Sequence, residues 1–302
     1  MMTLIGLRRC ARFAVVWVAG LGLLGAGGQA SNRQPALIID HNCTMLERIP
    51  AEWIEKAKQT LHVAYGFTSH GGQLVTGMTG LISWEKGGSR YAFNSGGQGE
   101  ALDLRAYRGN FGGLGIANDL NSDAATRLDY TAWEKATRAY LATDPGVNVV
   151  MWAWCYGVNT SEANINTYLR LMSKLEKDYP HIKFVYMTGR TGGEATKSWD
   201  AVRNKQIRDY CRANDKILYD FYDIESFDPD GNYYADKLCN DACDYDSDGD
   251  GVRDRNWAVD WQNAHPGEWF DCPAAHTQPL NANLKAYAAW WLWARLAGWD
   301  GR

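Results

Sequence analysis

The chain predicts an α/β protein, a three-layer α/β/α sandwich around a central parallel sheet of about five strands. Three observations carry that expectation. Apolar runs alternate with amphipathic helical segments, the order that builds a parallel sheet with helices on both faces. The run Val147–Trp154 (VNVVMWAW) is almost continuously apolar, as a strand covered on both faces is. Beyond the leader, about 270 residues run on with no repeat and no linker, a length suited to one large domain.

The first thirty residues read as a secretory leader. Arg8, Arg9 and Arg12 precede an apolar stretch, Phe13 to Gly25, and Gly28-Gln29-Ala30 supplies a small-residue cleavage site. A secreted, periplasmic or extracellular location is therefore expected, with no membrane attachment once the leader is removed. The apolar stretch is short for a bilayer span. Without the three leader arginines, 28 basic side chains face 35 acidic ones, a net charge of −7. An acidic surface argues against nucleic acid or an anionic membrane as partner. Six cysteines remain: Cys43, Cys155, Cys211, Cys239, Cys243 and Cys272. An even number in an exported chain predicts disulfides, with Cys239, Cys243 and Cys272 stapling a late loop. Zinc is disfavoured, since no paired C-x-x-C spacing occurs. Fourteen tryptophans are many for this length; most are expected in the core and some in a cleft against flat ligands such as sugar rings.

In chain order, Ala36–Asp40 is a short strand, and Pro50 opens a helix on which Trp53, Ile54, Ala57 and Leu61 recur at helical spacing. Leu61–Tyr65 is a buried strand that stops at Gly66 and ends in a tight turn at Ser69, His70 and the Gly71-Gly72 pair, and a helix follows from Gln73. Tyr91–Asn94 is a second strand, followed by a glycine-rich loop to about Asn118. Asp129–Leu141 is a helix and Asp144-Pro145-Gly146 a turn. After the Val147 strand comes the loop Cys155–Asn159, then a helix from Ser161 to Lys177 with Ser161 as its cap. Ile182–Met187 is a strand, Trp199–Asn214 a helix, Ile217–Tyr222 a strand and Asn281–Leu296 the closing helix. The irregular stretch Ile224–Pro279 is too long for a bare loop and is expected to carry function or an ion.

Ligands of open α/β sheets bind beyond the carboxyl ends of the strands, which makes Ser69 a candidate nucleophile. Such a serine needs a base and oxyanion donors. The strand-end turns offer Asn94-Ser-Gly-Gly-Gln-Gly99, Gly157-Val-Asn159 and Asp271-Cys-Pro-Ala-Ala-His276. His70 is adjacent to Ser69, and adjacent side chains diverge, so His276 is the better base; His265 and His41 compete. These four blocks, in this order, resemble the SGNH (GDSL-like) hydrolases. The resemblance implies a flavodoxin-like sheet and a single hydrolase domain over 31–302 with an irregular insert at about 224–279. It also implies roles: Ser69 attacks, His276 takes its proton, and the Ser69 and Gly99 N–H groups with the Asn159 side chain form the oxyanion hole. The chain departs from the family's pattern in three places. The first block is FTSHG, the third lacks its Asp, and Pro273 stands where the last block has its acid. Asp271 must then orient His276, or a Ser–His dyad must suffice.

A second motif stands apart from the first. Asp246, Asp248, Asp250, Gly251 and Asp254 have the spacing of the first part of an EF-hand-like loop, with Asp244 or Asp260 as further ligands and Trp257 at the twelfth position. It resembles the DxDxDG calcium loops of dockerins and thrombospondin type 3 repeats, which implies a structural Ca²⁺. No organic cofactor is expected. The expected function is a secreted serine esterase acting on a small-molecule or polysaccharide ester, carbohydrate acetyl esters among them; the sequence does not specify the acyl group. The alternative is a non-catalytic, calcium-stabilised, carbohydrate- or surface-binding protein on the same fold. A thiol nucleophile at Cys155 is a third reading, set behind the others because export favours a disulfide there.

Overall fold

The computed structural model describes residues 35–302 except 121, 124–129, 145, 156, 157 and 195–197. The leader expected over 1–30 lies outside the described residues, as do Gly157, Pro145 and the first residue of the helix expected from Asp129. Among the described residues, seven strands form one sheet: β1 (Leu37–Ile39), β2 (His62–Phe67), β3 (Phe93–Asn94), β4 (Leu102–Arg108), β5 (Val149–Trp152), β6 (Lys183–Met187) and β7 (Ile217–Tyr219). Every pairing is parallel, in the order β1-β7-β6-β5-β2-β4-β3.

The sheet has seven strands rather than about five. The missing core strand is β4, which lies inside the stretch read as a glycine-rich loop. Its Leu102, Leu104 and Ala106 alternate with Asp103, Arg105 and Tyr107, the period of a half-covered strand. The expected second strand, Tyr91–Asn94, is only the two-residue edge strand β3. Without the edge strands β1 and β3 the order is β4-β2-β5-β6-β7. The chain's direction across the sheet therefore reverses between β2 and β5, and that is where a crevice opens at the carboxyl ends.

The helices are α1 (Ala51–Thr60), α2 (Gly72–Ser83), α3 (Ala132–Thr143), α4 (Glu162–Asp178), α5 (Trp199–Ala213), the single turn α6 (Phe221–Ile224), α7 (Trp257–Ala264) and α8 (Pro279–Leu296). α1 and α2 pack on α8; α3, α4 and α5 pack on one another. α8 is buried on nearly its whole circumference, which explains its mainly apolar composition; its Asn281, Asn283 and Lys285 are buried too. It approaches α2 closely: a Cβ on Gly77 would sit 2.1 Å from the Ala282 carbonyl oxygen. Ser161 caps α4 as expected, its hydroxyl accepting from Asn164 N–H at 3.2 Å. The tryptophans of α8, with Trp133, Trp152, Trp154 and Trp257, are core residues, whereas Trp199 is exposed. No helix among the described residues is long and apolar enough to cross a membrane.

Candidate active site

β2 ends at Phe67, and Thr68 leads into a 3-10 turn, Ser69–Gly71, before α2 begins. The turn presses on the end of β5: a Cβ on Gly71 would lie 2.5 Å from that of Ala153 and 2.8 Å from the Tyr65 hydroxyl. That hydroxyl donates to the Gly71 carbonyl at 2.9 Å. Only glycine fits here, and the close approach sets Thr68, Ser69 and His70 against Cys155, two residues beyond Ala153. Thr68 is fixed by donating to the Asp119 carboxylate at 2.7 Å.

His70 is the centre of the site. It is buried, and its Nε2 lies 2.8 Å from Asp241 Oδ2. Nδ1 is buried without a hydrogen-bond partner, and the Cys155 thiol lies close enough to act on the ring's titration. Burial disfavours the imidazolium, yet Asp241 and the thiol outweigh it and raise the His70 pKa above the ordinary 6.5. Burial likewise opposes ionisation of Cys155, but His70, Thr68 and Ser69 outweigh it and hold the thiol below the ordinary 9.0. Burial would raise the Asp241 carboxyl; the hydrogen bond from His70 and the charge of Arg190, 3.6 Å away, lower it. A half-buried thiol, an imidazole and a carboxylate thus stand in sequence, the arrangement that activates a nucleophile.

Asp241 belongs to the long insert, and the insert is braced. Asp244–Tyr245 pairs with Arg255–Asn256, Gly192 bridges Asn240, and Arg253 reaches the carbonyls of Leu238 and Gly193. Within the loop, carboxylate oxygens of Asp246, Asp248 and Asp250 converge within 4.8 Å of one another. That donor set fits a hard, oxygen-liking cation. The other expected ligands are engaged elsewhere. Asp244 accepts from Asn256 and Asn240, Asp254 from Ser247, and Asp260 pairs with Arg255.

Beneath the site lies a buried ion pair. Lys285 Nζ is 2.6 Å from Glu225 Oε2 and also donates to Gln73. The other Glu225 oxygen accepts from the Thr191 hydroxyl at 2.8 Å, and Gln73 donates to the Ala275 carbonyl at 2.6 Å. One network therefore fixes the loops that carry Arg190 and His276. His276 stacks on His70 with ring centroids 4.4 Å apart. Burial and the charges of His70 and Arg190 lower its pKa, against the pull of Asp241.

The expected residues are only partly brought together. Ser69 and Asn159 are at the carboxyl end, and Ser69 interacts with the Cys155 thiol. His276 is exposed and lies over His70. Gly99 is at the opposite end of the sheet: Asn94 pairs with Asp103, and Asp103 with His62, the first residue of β2. At ~3.3 Å per residue the strand separates that turn from Ser69 by about 17 Å, so Gly99 is no oxyanion donor to it. The turn that does follow the adjacent core strand is Gly109–Gly113, and Gly109 N–H donates to the Phe67 carbonyl at 2.8 Å. Asp271 does not orient His276. Its neighbours Phe270 and Cys272 are buried, which turns Asp271 outward into a separate cleft with Thr79 and Trp84. His265 stacks on Trp261 and His41 pairs with Asp223. The six cysteines among the described residues are free thiols, without the expected staple; Cys243 instead faces the Thr277 hydroxyl and Asn281.

Sequence reasoning ranked His70 and Cys155 low and missed Asp241 and Arg190. The signals present were a cysteine just past the clearest strand and an aspartate within the insert expected to carry function. No family profile, curated protein or solved structure matches the chain.

Proposed function

We propose that the protein is an acyl hydrolase that works through a thioester at Cys155. The observation that carries this reading is the placement of His70 between the Cys155 thiol and the Asp241 carboxylate, where the sheet's strand order reverses. The thiolate attacks the acyl carbon, and the His70 imidazolium returns the proton to the departing alcohol or amine. Water, deprotonated by His70, then hydrolyses the thioester and regenerates the thiol. Ser69 and Asn159 are the donors at this end of the sheet for the developing oxyanion. The core strand order matches a flavodoxin-like sheet, which supports an SGNH-like domain for residues 31–302. The substrate class stays that of the sequence reading, an exported carboxylic ester such as an acetylated sugar.

A serine variant of this reading rests on one observation. Ser69 lines a cavity with Ala274 and Ala275, next to His276, whose neutral form is favoured. Hydrolysis of p-nitrophenyl acetate by the purified protein separates the two. Under the thiol reading, Cys155→Ala and iodoacetamide each abolish turnover and Ser69→Ala retains most of it. Loss with Ser69→Ala alone assigns the serine. Absence of turnover on p-nitrophenyl acetate and acetylated sugars removes both and favours the non-catalytic binding protein.

The Asp246, Asp248 and Asp250 cluster is proposed as a structural calcium site. A bound cation would offset the crowded charge and stiffen the insert that carries Asp241. A chelator should lower the melting temperature, and an unchanged value overturns the assignment.

A further inference from the structure

Beside the nucleophile lies a cavity of about 510 Å³, within the range that holds small organic ligands. Its walls are apolar: Phe67, Val75, Pro273 and Ala274. Three polar side chains break them: Ser69, Arg108 and Thr76, whose hydroxyl is engaged by the Gly72 carbonyl of its own helix. Ser69, half-buried, also interacts with the Cys155 thiol. Arg108, the last residue of β4, stands at the rim, exposed and with no hydrogen bond or ion pair to a described residue.

An unpaired guanidinium beside an apolar cavity needs a reason in a chain whose mature charge is strongly negative. Free arginines on acidic proteins readily find carboxylates, and this one has none among the described residues. Its planar fork of N–H donors matches a carboxylate in two-point contact, and the apolar walls leave it as the charged anchor of the cavity. The leaving alcohol must escape to solvent after acylation, so the recessed cavity suits the retained acyl group.

Resting on the acyl-hydrolase reading, we propose that the cavity is the acyl pocket and that Arg108 selects an acyl group with an apolar chain ending in an anion, as in half-esters of short dicarboxylic acids. Arg108 is then a specificity-determining residue, and the acyl carbon sits past Ser69 at the thiol.

The test compares kcat/KM for the p-nitrophenyl half-ester of glutarate with that for p-nitrophenyl pentanoate, a neutral ester of the same chain length. The wild type should prefer the anionic ester by about tenfold or more, the worth of a hydrogen bond to a charged group. Arg108→Glu should remove or reverse that ratio, and Arg108→Lys should keep its direction. A ratio unchanged in Arg108→Glu overturns the proposal. If the wild type turns over neither ester, the hydrolase reading fails separately, and the pocket is read by calorimetric titration with pentanoate and pentanamide. Saturable binding of pentanoate alone, lost in Arg108→Glu, supports the pocket; equal or absent binding of the two overturns it.

Discussion

His70 and His41 each follow a strand of the parallel sheet, and each meets an aspartate from a distant part of the chain. His70 reaches Asp241 at 2.8 Å, and His41 Nδ1 reaches Asp223 at 2.5 Å. Both imidazoles have raised pKa values, because their carboxylates outweigh burial. Their surroundings differ in what else touches the ring. His41 is stacked on Phe227 with centroids 3.6 Å apart, Asp40 stands beside it, and Asp223 also accepts its backbone N–H at 3.0 Å. Both partners are used up within the pair, at the edge strand β1 and its neighbour β7. His70 has a free thiol against its ring, at the point where the strand order reverses. A histidine–aspartate pair is a fastening in one place and, in the proposed function, part of a reactive centre in the other, and the third group makes the difference.

The sharpest way to break this comparison is to remove each imidazole. His70→Ala should lower kcat/KM on an acyl ester by about 10³-fold, as loss of a general base and thiolate partner does. His41→Ala should leave it within about threefold, since it touches no reacting group. Equal losses in the two variants would mean that the rate reports folding and not chemistry.

The ground beneath the two pairs also differs. Lys285 and Glu225 are both fully buried under the His70 site and bind the loops that carry Arg190 and His276. Lys285→Met leaves Glu225 buried without its cation, which should cost about 3–5 kcal/mol of stability. Urea unfolding measures it. A loss below about 1 kcal/mol, the scale of a surface pair, would mean that water reaches Glu225 and that the floor is not rigid.

How far the sequence spoke for these features depends on their range. The Ser69 turn, β5 and the cap of α4 are written in contiguous residues and were legible. β4 was not, because its alternation is short and set among glycines that read as loop. Gly66 looked like the end of β2, but the strand continues through it: a Cβ there would lie 2.5 Å from the Trp152 ring, so the glycine makes room for a packed side chain. Ser69 and His70 were expected to diverge, yet both interact with the Cys155 thiol; Ser69 also lines the cavity, and His70 also meets Asp241. The partner it meets is 171 residues away, a distance over which no local pattern operates. Cys155 was visible at the end of the clearest strand, but the inference from export to disulfide displaced it.

A gentler variant tests orientation alone. Asp241→Asn keeps the side chain's shape and removes its charge, and it should lower kcat by about 10²-fold with little change in KM, as loss of the group that fixes an imidazole does. Asp223→Asn should change neither constant beyond about twofold. If Asp241→Asn raised KM alone, Asp241 would be a substrate contact and not the orienting acid.

The smallest effect separates the two pairs by pH. His41 has a folded pKa above 6.5 and Asp223 one below 3.8. The stabilisation from a raised histidine is fully present below 6.5 and is lost as pH rises through the folded value; that from a depressed aspartate is present above 3.8 and is lost as pH falls through the folded value. The fastening is therefore strongest between those limits. Asp223→Asn should lower stability most near pH 5, by about 1 kcal/mol for a partly exposed pair, and less at pH 8, as urea midpoints at the two values will read. The pH profile of kcat/KM should stay as in the wild type, with its rising limb below the ordinary thiol value of 9.0 because His70 favours the thiolate. A shift of that limb by Asp223→Asn would join the two histidines electrostatically and undo their separation.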